Sequence, residues 1–190
     1  MTNNLEINIL YWSSKGREVP FRFIINHTDT MDFDDYEAKT FWHLIGGFEV
    51  TLEGCKTIFH SSDFHYLVKA TSFLIHSMYW IKGKESDWFD KDDTYPNDVI
   101  IKSTSNNLIS LTNLSPEELS FSYTTNKENE IHNRGDRFFK NIRLNKQEWY
   151  EASNKALEEY FEILKQIADK QHDDPTSKIM MKYYRIWKNI

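Results

Sequence analysis

The chain of 190 residues has one cysteine, four prolines, six glycines and no apolar run long enough to cross a bilayer. Each scarcity excludes something. With Cys55 alone, no internal disulfide and no CxxC site can form, which fits a reducing compartment. A membrane span needs about 18 consecutive apolar residues and none is present. The opening MTNNLEINILYW lacks the basic and apolar regions of a secretory signal. A cytoplasmic protein that neither enters nor crosses a membrane is therefore expected. No GxGxxG, GxxxxGK[ST] or GxSxG motif occurs, and Gly46-Gly47 is the only glycine pair, too little for a phosphate cradle. No nucleotide or other cofactor is expected.

Aromatic residues are abundant, with 13 Phe, 10 Tyr and 6 Trp. A chain so rich in rings packs rather than remaining disordered. At this length one domain, residues 1–190, is the default, and it buries about 70% of the surface its unfolded chain exposes.

Charge is distributed unevenly. Met1 to Asp136 holds 12 basic and 21 acidic residues, whereas Arg137 to Ile190 holds 11 basic and 8 acidic. Two clusters account for much of the negative excess. Asp29, Asp32, Asp34, Asp35 and Glu37 form one, interleaved with Met31, Phe33 and Tyr36; Glu85, Asp87, Asp90, Asp92, Asp93 and Asp98 form the other, with Trp88, Phe89 and Tyr95. Nucleic-acid binding needs the opposite sign, because Lys and Arg displace counterions from phosphates. A basic protein partner suits the clusters better, since complementary charge steers encounter and aromatic anchors supply binding energy. The candidate partner-binding residues are Asp32, Asp34, Asp35, Tyr36, Trp88, Phe89, Asp90, Asp92, Asp93 and Tyr95. The plainer alternative is that both clusters only keep the chain soluble.

The hydrophobic pattern predicts strands first and helices last. Leu5, Ile7 and Ile9 alternate with polar residues, SSKG at 13–16 turns the chain, and Phe21 to Ile25 returns as a strand. Gly46-Gly47 breaks the chain before Phe48 to Leu52. Over Asp63 to Lys82, apolar residues recur at three- and four-residue spacing, predicting a middle helix with Ser62 as its N-cap. Four β-rich runs follow, Val99 to Ser103, Leu108 to Thr112, Leu119 to Thr125 and Arg137 to Leu144, separated by turn residues. Asn145 with Glu148 resembles a capping box and opens a long helix, and Asp174-Pro175 opens the last one. The expectation is an α+β fold: an antiparallel sheet of about six or seven strands, covered by a middle helix and a C-terminal helical pair.

Chemistry is sparse. His60, His65 and His76 are the closest histidines, and the last two fall near one face of the middle helix, but zinc needs three or four ligands fixed by their neighbours. The Asp87 to Asp93 run lacks the glycine of a calcium loop and ends at Pro96. Cys55 and His60 lie five apart, with nothing to make a nucleophile and base converge. No catalytic residue, metal ligand or enzyme activity is expected. A small-molecule pocket between sheet and helices, with His65 or His76 as its polar group, is one alternative. Self-association through Tyr184 and Trp187 of the last helix, as a homodimer, is another.

The acidic aromatic segments MDFDDYEAKTFW (31–42) and ESDWFDKDDTYPND (85–98), with the strand-to-helix ending RFFKNIRLNKQEWYEASNKALEEYF, resemble the immunity proteins of bacterial polymorphic toxin systems. The resemblance is one of class and carries no signature residue. It implies a small cytosolic inhibitor whose partner is a cognate, basic toxin, held by direct contact. Many Asn, Ile and Lys residues with only five Ala fit an AT-rich bacterial genome.

Overall fold

The alternating Leu5, Ile7 and Ile9 produce strand β1 (Leu5–Trp12), which pairs antiparallel with β2 (Glu18–Pro20). A computed structural model describes residues 5–12, 18–22, 46–52, 55–58, 67–84, 99–103, 107–125, 139–168 and 175–190. The N-terminal hairpin is present, but its return strand comes earlier than Phe21. Pro20 has no N–H to continue the ladder. The chain then leaves the sheet in a short 3₁₀ turn and buries the Phe21 ring against Tyr11 and Tyr160, with centroids 6.2 and 4.8 Å apart. Phe23 to Ile25 lie outside the described residues.

Strand β3 (Gly46–Leu52) lies on the other side of β1 and pairs with β4 (Cys55–Ile58), giving a sheet of order β2-β1-β3-β4. Gly46 and Gly47 do not interrupt the chain; they open β3. A Cβ at Gly46 would sit 2.4 Å from the Leu10 carbonyl oxygen and 2.9 Å from Leu67 Cδ1, so the close approach requires glycine.

The middle helix, α1 (Leu67–Ile81), is buried on nearly every side: Leu67, Val68, Phe73, Leu74, Ile75 and Met78 are joined there by Thr71 and Ser77. A helix apolar all round belongs inside. Its end is a Schellman motif, with Lys84 N–H bonding Tyr79 O and Gly83 N–H bonding Trp80 O, both at 3.0 Å, and Gly83 at φ +61°. The expected cap, Ser62, lies outside the described residues.

After α1 come β5 (Val99–Ser103), β6 (Asn107–Asn113), β7 (Glu118–Thr125) and β8 (Phe139–Asn145), paired in sequence as a second antiparallel sheet. The fold is α+β as expected, but the single sheet of six or seven strands is corrected to two sheets of four. Strand periodicity tells which face is apolar. It does not tell which strands pair, and here β1 to β4, which precede α1, pair among themselves, as do β5 to β8, which follow it.

Asn145 caps α2 (Lys146–Ala168): its Oδ1 accepts from the N–H of Gln147 at 2.8 Å and of Glu148 at 3.3 Å. Trp149, Ser153, Ala156, Leu157, Tyr160 and Leu164 are buried, as their spacing requires, and so are Phe161 and Ile163. The wider buried face arises because Phe161 stacks on Trp187 of α3 (Pro175–Lys188) at 5.2 Å. Both sheets and all three helices contribute to one apolar core. Among the described residues, no helix is long and apolar enough to cross a membrane.

The α1–α2 contact carries a polar seam. Trp149 Nε1 donates to Ser77 Oγ at 2.8 Å, and Ser77 donates onward to Leu74 O at 2.7 Å. Further along, Tyr160 bonds Thr71; burial pushes its phenol far above the usual range, against the opposing effect of Thr71, so it stays protonated at physiological pH. Between them the Ser153 hydroxyl is buried with no partner among the described residues. Ser153→Ala should therefore be neutral or stabilise by up to about 1 kcal/mol, whereas Ser77→Ala, which orphans the indole N–H, should cost about 1–3 kcal/mol. Denaturant midpoints compare the two, and a greater loss for Ser153→Ala would contradict this arrangement.

Candidate functional site

The ten candidate partner-binding residues, Asp32, Asp34, Asp35, Tyr36, Trp88, Phe89, Asp90, Asp92, Asp93 and Tyr95, all lie outside the described residues. What the fold does define is where their two segments are tied. Residues 23–45 hold five acidic side chains and one lysine, and residues 85–98 hold six and one. Together they carry more negative excess than the whole chain, whose net charge is -6. The remainder is net basic.

The first segment is pinned at both ends to one residue. Phe21, before it, packs its ring on Tyr11, and Gly46, after it, is the register partner of Tyr11. Tyr11 is fully buried, and Gly46 lies beneath Leu67 at the start of α1. The second segment leaves at the other end of the same helix. It begins after Lys84, in the Schellman turn, and closes at Val99, opposite Thr112 on β6. Fifteen residues of α1 at about 1.5 Å each separate these ends by about 22 Å. The first run thus rejoins the fold near the start of the most buried helix, and the second leaves it at that helix's end.

Around the second tether the described surface is cationic and aromatic. Lys82 Nζ lies 4.4 Å from the Tyr150 ring centroid, and Lys146 Nζ lies 5.9 Å from that of Trp80. Lys146 also donates to Asn113 Oδ1 at 2.5 Å and Ser115 O at 2.6 Å, which fixes the β6–β7 turn against the start of α2.

The other sequence candidates separate. Cys55 begins β4, while His60 and His65 lie outside the described residues and His76 sits half-buried on α1. Among the described residues, no group of three His, Cys, Asp or Glu side chains could hold a metal ion. The layer in which a small-molecule pocket was expected is occupied by Phe48, Phe73, Phe121, Trp149 and Tyr160, all less than about 2% exposed. Trp187 is not exposed as the self-association alternative requires. It is 5% exposed, stacked on Phe161, and its Nε1 donates to Asn154 Oδ1 at 3.0 Å. Tyr184 is half-buried, its ring edge-on to Phe161. The lysine-rich surface by the second tether was missed in the sequence, although the one-sign composition of residues 175–190 was there to be read. Comparison of the chain with protein-family models, curated proteins and solved structures finds no match.

Proposed function

We propose that this protein is a cytoplasmic binding protein that neutralises a cognate basic toxin by direct contact, in the manner of the immunity proteins it resembles. The observation that carries this reading is the concentration of negative charge and aromatic rings in two segments of an otherwise basic chain. Carboxylates pair with Arg and Lys by charge-assisted hydrogen bonds, while Trp88, Phe89 and Tyr36 provide the apolar anchors such interfaces need. The packed frame supports the same reading, because segments held at both ends by residues of the fold lose less freedom on binding than free tails do. Among the described residues, the interior between sheets and helices is filled by aromatic side chains, which suits a rigid frame for surface contact.

Charge reversal tests the proposal. The triple variant Asp90→Lys, Asp92→Lys, Asp93→Lys should keep the wild-type circular dichroism spectrum and melting temperature, yet associate with the partner at least about tenfold more slowly, with a weaker dependence on salt. Unchanged association kinetics in a folded triple variant would remove this segment from the interface.

A further inference from the structure

We draw no further inference here: the strongest candidate, the surface patch on the β6–β7 turn that presents exposed Leu114 beside exposed Glu117 and Glu118, carries nothing because nothing in the structure shows what covers it.

Discussion

Replacing Trp149 with alanine is expected to cost about 3–5 kcal/mol, the range for emptying a buried aromatic site. Trp149 has no exposed surface, its ring lies 5.7 Å from Phe121 of the second sheet, and its indole N–H is held by Ser77 of α1. One side chain therefore joins α2 to a sheet and to the central helix. Because a domain of this kind is stable by only about 5–15 kcal/mol, the alanine variant should unfold at a much lower denaturant concentration, or fail to accumulate. Trp149→Phe keeps most of the volume and loses the hydrogen bond, so it should cost about 1–3 kcal/mol. Equilibrium denaturation followed by circular dichroism separates the two. A loss under about 1 kcal/mol for the alanine variant would mean that Trp149 does not join these elements.

Gly46→Ala is expected to destabilise by at least about 2 kcal/mol, a large effect for one methyl group. The added Cβ would stand 2.4 Å from the Leu10 carbonyl oxygen and 3.2 Å from Tyr11 Cα, both main-chain atoms of the neighbouring strand, which cannot turn aside as a side chain can. The consequence reaches beyond β3, because Tyr11 and Gly46 together tie the first acidic segment. Gly83→Ala provides the contrast. Nothing lies within 4 Å of its added Cβ, so it pays only for the left-handed backbone at φ +61°, about 1 kcal/mol. Melting temperatures of the two variants should fall in that order, and an equal or smaller shift for Gly46→Ala would contradict the contact.

Much of this fold is legible along the chain, and what is not has physical causes. Asn145 with Glu148 marks the start of α2 because a side-chain oxygen must meet the orphan N–H groups of a first turn, and it does so. The apolar stripe of α2 identifies Trp149, Leu157 and Tyr160 as core, but not Phe161 and Ile163, since a helix bearing a second helix on its flank buries more than one stripe. Trp187 illustrates the same limit: its spacing places it on an apolar face, and only the position of α2 determines that this face is covered. The division into two sheets is invisible for a related reason, because alternation in β5 to β8 records burial and not partners. The acidic clusters were conspicuous from composition, and the fold adds the tethers that hold them.

The proposed function stands on the pairing of those clusters with a basic partner. Its most direct test immobilises the full chain and exposes it to lysate of the source organism at low and at high salt, beside two folded variants, Asp32→Lys with Asp34→Lys and Asp35→Lys, and Asp90→Lys with Asp92→Lys and Asp93→Lys. Mass spectrometry then identifies what each retains. A basic protein should be held in stoichiometric amount by the wild-type chain, released as salt rises, and lost from at least one reversed variant. Equal retention of the same partner by all three chains at both salt concentrations would contradict the account.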